Sequence, residues 1–144
     1  MLDTNVYEFL IEQHSDDLAK MVEEGGVIVY GCNIIRKELR ETPKTAKYQG
    51  KSFRNALLST YDGATEGHSY PAEDVADFIA EEYWKEYRGG ISKRKLMNDF
   101  RIVAVSSIHN LDILVSDDSH SMKSRVAIEA YLKVNGRNAF RTPA

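Results

Sequence analysis

The sequence predicts an α/β fold of three layers, α/β/α, in which helices cover both faces of a central, mostly parallel sheet. Two observations predict it. The short continuous apolar runs Val27-Ile28-Val29-Tyr30 and Ile113-Leu114-Val115 read as strands buried on both faces, which is the pattern of a parallel sheet. Around them lie longer segments whose apolar residues recur at helical spacing, and strands alternating with helices are the signature of a doubly wound sheet.

The elements follow in chain order. Val6, Phe9 and Leu10 have helical spacing, and Leu18, Met21 and Val22 form a second helix that the glycine pair Gly25-Gly26 stops. After the first apolar run, a helix through Ile34, Ile35, Glu38 and Leu39 ends near Pro43. A further helix is expected over residues 45–61, then a polar loop containing Asp62, Gly63 and Gly67. Pro71 suits the first turn of a helix whose early acids, Glu73 and Asp74, and late bases, Lys85 and Arg88, complement the helix dipole. Gly89-Gly90 ends it. Ser92 can cap a helix over residues 93–109, with Leu96, Val103 and Ile108 on its apolar side, and residues 126–134 are helical after the second run.

Composition bounds the class. At 144 residues, 42% hydrophobic and 28% charged, the chain fits one domain over residues 1–144, with no repeat or linker to divide it. Its single cysteine, Cys32, cannot form an internal disulfide and reads as a small buried hydrophobe, which makes a reducing compartment the default. No basic, apolar-cored leader and no apolar run of about 18 residues occurs, so a cytoplasmic location is expected and no membrane. A net charge of −3 gives no bulk attraction to nucleic acid, so any such binding falls to local basic patches.

The acids carry the chemistry. Ligand sites of doubly wound sheets lie outside the carboxyl ends of the strands. Asp3 follows the candidate opening strand, a stub because only Met1 and Leu2 precede it, and Asp117-Asp118 follow Val115-Ser116. Glu38 and Asp99 lie on helices flanking the apolar runs and can point to the same place. Carboxylates that converge in a cleft repel one another unless a cation sits between them. An oxygen-only donor set favours Mg²⁺ or Mn²⁺ over zinc.

In this arrangement the chain resembles, over nearly its whole length, the PIN domain family of metal-dependent ribonucleases, which includes the VapC-type toxins. Leu2-Asp3-Thr4-Asn5 is similar to the family's opening strand-end motif, and residues 34–39 resemble the helix with the second acid, Glu38. Asn98-Asp99, followed by Ile102, Val103, Ala104 and Val105, matches the third-acid helix. Leu114-Val115-Ser116-Asp117-Asp118 matches the late strand and its hydroxyl-x-Asp ending. The resemblance implies a PIN-like fold and hydrolysis of RNA phosphodiesters with Mg²⁺ or Mn²⁺. Asp3, Glu38, Asp99 and Asp118 would be catalytic, with Asp3, Asp99 and Asp118 as main metal ligands and Asn5, Ser116 and Asp117 in support. It also implies a homodimer, and it admits the role of a toxin paired with an antitoxin protein. Two rivals stand beside it. A catalytically inactive binding module that keeps the fold is the stronger. A haloacid-dehalogenase-type phosphotransferase would need a second acid where Asn5 stands.

Outside the acids, Lys44, Lys47, Lys51 and Arg54 recur at helical spacing and share a face that could hold RNA phosphates or simply be solvated, and the same choice applies to Lys93, Arg94 and Lys95. Glu73, Asp74, Asp77, Glu81, Glu82 and Glu86 read as an exposed helical face. His14, His68, His109 and His120 lack metal-ligand spacing and read as structural, with His68 and His120 placed in polar loops. Tyr83, Trp84 and Tyr87 read as packing or dimer contacts.

Overall fold

The computed structural model describes residues 1–13, 16–71 and 73–144, so that His14 lies outside the described residues. Helices dominate: α1 (Thr4–Glu12), α2 (Asp17–Glu23), α3 (Asn33–Glu41), α4 (Phe53–Thr65), α5 (Asp74–Glu86), α6 (Lys93–Ile108) and α7 (Arg125–Asn138). Strands are two residues long: β1 (Gly31–Cys32), β2 (Lys47–Tyr48), β3 (Lys51–Ser52) and β4 (Ser69–Tyr70).

The predicted three-layer α/β/α architecture is therefore corrected. The chain is 57% helix and 7% strand, too little strand for a central sheet with helices on both faces. The reason lies in the two apolar runs. A strand of a buried parallel sheet has both faces covered, yet Ile28 is 63% exposed, Ile113 56% and Val115 43%. Each run is extended chain with one covered side, and neighbouring segments meet only in short ladders. β1 pairs in parallel with β4, Gly31 opposite Ser69 and Cys32 opposite Tyr70. Leu2 forms a single parallel bridge with Val115, in which Asp3 N donates to Val115 O at 2.9 Å and Val115 N to Met1 O at 3.0 Å. That bridge positions the site, because it fixes Asp3 beside Ser116.

The helix stops follow the local chemistry. Gly25 (φ 69°) ends α2 in the left-handed region, with Gly25 N donating to Val22 O and Gly26 N to Met21 O, the paired bonds of a Schellman motif. The helix expected over residues 45–61 is corrected: its first third is an antiparallel hairpin, β2 against β3, with Lys47 opposite Ser52 and Tyr48 opposite Lys51. Gln49 (φ 48°) and Gly50 (φ 76°) both have positive φ, as the tight two-residue turn of a hairpin requires. Ser52 then caps α4, accepting from Asn55 N at 3.4 Å, and the helix runs on through Asp62 and Gly63, which were expected in a loop.

The core is built where α5 packs against α6 and α7, and where α3 and α1 pack on α4. Phe100 on α6 is fully buried among Tyr83, Tyr87 and Tyr131, meeting Tyr83 and Tyr131 edge-on with ring centroids 6.0 and 5.6 Å away. Tyr83 and Tyr87 are thus packing residues. Two buried polar groups beside them pair with neighbours: Tyr83 Oη donates to Asn135 Oδ1 at 2.6 Å, and Asn135 Nδ2 donates to Ser107 Oγ at 3.0 Å. The acidic stripe of α5 is less solvated than its sequence suggests. Asp77 binds Arg101 at 2.7 Å, Glu81 binds Lys93 at 2.7 Å, and Glu86 takes Lys133 and Arg137 together. Among the described residues no helix is long and apolar enough to cross a membrane.

Candidate active site

Four segments distant in sequence bring their carboxylates into one electrostatic neighbourhood. Asp3 is 6% exposed and caps α1, its Oδ1 accepting from Thr4 N at 2.8 Å and its Oδ2 from Ser116 Oγ at 2.7 Å. Ser116 Oγ in turn accepts from Asp118 N at 3.1 Å, while Asn5 Oδ1 accepts from Asp117 N at 3.1 Å. Asn5 and Ser116 thus tie the start of α1 to the turn after Val115, as support for the acids and not as members of the cluster. The exposed Asp117 touches this network only through its backbone.

Asp118 closes a tight turn on itself. Its Oδ1 accepts from His120 N at 2.9 Å and Ser121 N at 2.8 Å, and its Oδ2 from Ser121 Oγ at 2.5 Å. The same Ser121 Oγ lies 2.6 Å from Oδ2 of Asp99, in the second turn of α6. On the other side, Glu38 of α3 is fixed at both oxygens, accepting from Thr4 Oγ1 at 2.6 Å and from Asn98 Nδ2 at 2.7 Å. Thr4, Glu38 and Asn98 therefore link α1, α3 and α6 around the acids.

The charges are strained toward neutrality. Burial, followed by the charges of Asp3, Asp118 and Glu38, pushes the Asp99 carboxyl up to about 7, with the Ser121 hydrogen bond opposing. Burial also raises Asp3, helped by the charge of Asp118 and opposed by Ser116 and Thr4. Asp118 differs: against the cost of its burial, hydrogen bonds from Ser121 and from the Ser121 and His120 backbones, with the charge of His120, hold it below the usual carboxylate range. These directions place a proton. A hydroxyl carries one hydrogen and cannot donate to two carboxylates at once. Both short contacts of Ser121 are satisfied when a protonated Asp99 donates to Ser121 Oγ and Ser121 donates to ionised Asp118.

A cation between the two carboxyls would relieve the same repulsion. The all-oxygen donors fit Mg²⁺ or Mn²⁺, ions held by one or two carboxylates with waters completing the shell. Asp99 and Asp118 offer that pair. Among the described residues no three His, Cys, Asp or Glu side chains are spaced to hold one ion, and Asp3 engages Ser116 and Thr4 instead. The set Asp3, Asp99 and Asp118 is brought near but not gathered around one point.

Ser121 was missed by sequence reasoning. Its signal is local: a hydroxyl three residues after an Asp, in a polar turn, is where an Asp-closed turn places a donor. The basic residues do not form the predicted helical stripe. Lys47 and Lys51 sit on the two strands of the hairpin, Lys44 precedes it, and Arg54 lies in the first turn of α4 with its Nε buried and without a partner. Lys93 is paired with Glu81, and Arg94 and Lys95 are exposed at the start of α6. His120 belongs to the site through its backbone and its charge on Asp118. His68 does not, its Nδ1 meeting Thr65 O at 3.1 Å, and His109 stacks on Tyr70 at 3.6 Å. Compared with protein-family models, with curated proteins and with solved structures, the chain finds no match in any of the three.

Proposed function

We propose that the chain is a metal-dependent endoribonuclease that hydrolyses RNA phosphodiester bonds at Asp3, Glu38, Asp99 and Asp118. The observation that carries this reading is the meeting of Asp99 and Asp118 on one Ser121 hydroxyl, with Asp99 pushed up to about 7 by burial and by three neighbouring acids. The resemblance of the acid-bearing motifs to PIN ribonucleases supports it at the level of residues, on a mainly helical frame. A bound Mg²⁺ or Mn²⁺ would supply a water of lowered pKa and offset charge on the departing oxygen. Asp99 and Asp118 would hold the ion, with Asp3, pinned by Ser116, as the neighbouring carboxylate. Glu38, whose two oxygens accept from Thr4 and Asn98, would complete the site or orient the attacking water. Ser121 holds the two ligand carboxyls in register before the ion arrives.

RNA is the substrate class of this reading, and a cytoplasmic location, a second copy of the chain and an antitoxin protein are the setting and partners that go with it. The test is incubation of single-stranded and structured RNA with the purified protein in Mg²⁺, in Mn²⁺ and in chelator. Metal-dependent internal cleavage is expected. Binding of RNA without cleavage would favour the inactive binding module, for which the lack of a gathered three-carboxylate set speaks.

The hairpin gives a separate prediction. Lys47 and Lys51 are exposed on the two strands of the hairpin, which packs against α4, so converting both to Gln should weaken binding of every RNA sequence alike. The slope of log affinity against log salt should flatten by about 1.4, two phosphate contacts at roughly 0.7 each. A slope equal to that of the unaltered protein would move the RNA path to Arg94 and Lys95.

A further inference from the structure

A second recess lies beside the carboxylates. Its volume is about 400 Å³, and its walls are Val103 of α6, Met122 of the turn after Asp118, and Ile128 and Leu132 of α7. Ile128 is 40% exposed and Leu132 57%, so the apolar lining faces solvent and is not closed core. Ser116, which holds Asp3, also lines it, and exposed Lys123 stands at the rim. One more lining residue packs in the aromatic core through its ring while its hydroxyl goes unused. Tyr131 is only 3% exposed, and its hydroxyl is buried with no hydrogen-bond partner. An unpaired buried hydroxyl costs free energy, and such a group is retained at no loss only where something meets it. Ser116, in the lining and bonded to Asp3, puts this recess against the acidic cluster.

We propose that this recess is a nucleobase subsite: it takes one base of the bound RNA between the apolar side chains of α6 and α7, with Tyr131 Oη donating to a base carbonyl or ring nitrogen. The inference rests on the ribonuclease reading for its ligand. A flat, largely apolar ring with a few acceptors on its edge suits walls of Val, Met, Ile and Leu with one hydroxyl among them. The phosphate next to that base would then lie between Lys123 and the carboxylates. A hydrophobic peptide side chain would use the same walls but leaves Tyr131 unmet, and gives no reason for the recess to adjoin the acids.

The test uses nucleoside 5′-monophosphates and ribose 5-phosphate as probes of the whole protein, followed by methyl NMR shifts and titration. The monophosphates should shift the methyls of Met122, Ile128 and Leu132, and ribose 5-phosphate should not. Leu132→Asp, at an exposed position, should weaken monophosphate binding by about tenfold. Tyr131→Phe should also weaken it by about tenfold while raising the melting temperature of the free protein, because the orphaned hydroxyl is gone. Equal binding of ribose 5-phosphate, or unchanged monophosphate binding in both variants, would overturn the subsite. Failure of the ribonuclease reading looks different: RNA stays intact in Mn²⁺ while the base-dependent methyl shifts persist. With cleavage intact but no base-dependent shift, the subsite alone fails.

Discussion

Asp99→Asn should leave the protein folded, raise its melting temperature in the absence of metal at pH 8, and lower RNA cleavage by on the order of a thousandfold. The activity loss follows from removing the charge of a ligand carboxylate, where single electrostatic contributions are worth a hundred- to a thousandfold. The stability gain follows from the proton. The folded protein holds the Asp99 proton up to about pH 7, whereas an unfolded chain releases it at about 4. A carboxyl with its folded pKa raised contributes stability that is full below the unfolded value and is lost as pH rises through about 7. Above that pH the ionised, crowded carboxylate costs on the order of 4 kcal/mol, and the neutral amide does not. Melting curves from pH 4 to 8 should thus slope downward for the unaltered protein and flatten in Asp99→Asn. A variant that cleaves as well as the parent would remove Asp99 from the chemistry.

Phe100→Ala should cost about 4 kcal/mol, a large share of the stability of a domain this size, because it empties a fully buried aromatic position. The effect reaches function through geometry. Phe100 is locked among Tyr83, Tyr87 and Tyr131, and that lock sets the rotation of α6, which aims the neighbouring Asp99 at Ser121. The variant should therefore lose cleavage at temperatures well below its own melting point. Circular dichroism with activity measured along the same temperature ramp checks both; a loss under 1 kcal/mol would mean that the aromatic cluster does not hold α6.

The helices were legible because capping residues and apolar spacing act locally. Gly25-Gly26 and the dipole-matched ends of α5 mark their boundaries within the chain itself, while Ser92 stands at the N-cap position of α6 without a side-chain cap bond. The sheet was misread for the opposite reason. Val27-Ile28-Val29-Tyr30 and Ile113-Leu114-Val115 are apolar runs rich in β-branched residues, and a run carries no record of how many faces its neighbours will cover; Ile28 and Ile113 face solvent. The hairpin at Gln49-Gly50 was lost to a helical period in the lysines, although two successive residues with positive φ decide the geometry there. In the site, Asp3, Glu38, Asp99 and Asp118 could be picked out because acids beside apolar runs are conspicuous. The turn that Ser121 makes with Asp118 is local, but its contact with Asp99 was hidden, since that depends on α6 passing within a hydrogen bond of the turn. The orphaned hydroxyl of Tyr131 was equally hidden, because a partner that is missing leaves no trace in sequence.

The cleavage expectations depend on a divalent ion binding between Asp99 and Asp118. Electron paramagnetic resonance of Mn²⁺ titrated with protein at pH 8, where Asp99 has lost its proton, reads the free ion. Its signal should fall on adding the unaltered protein, and the fall should be largely lost in Asp118→Asn and in Asp99→Asn. A free-ion signal that the unaltered protein leaves unchanged at millimolar concentration, or that both variants quench equally, would contradict the metal site and the ribonuclease reading with it.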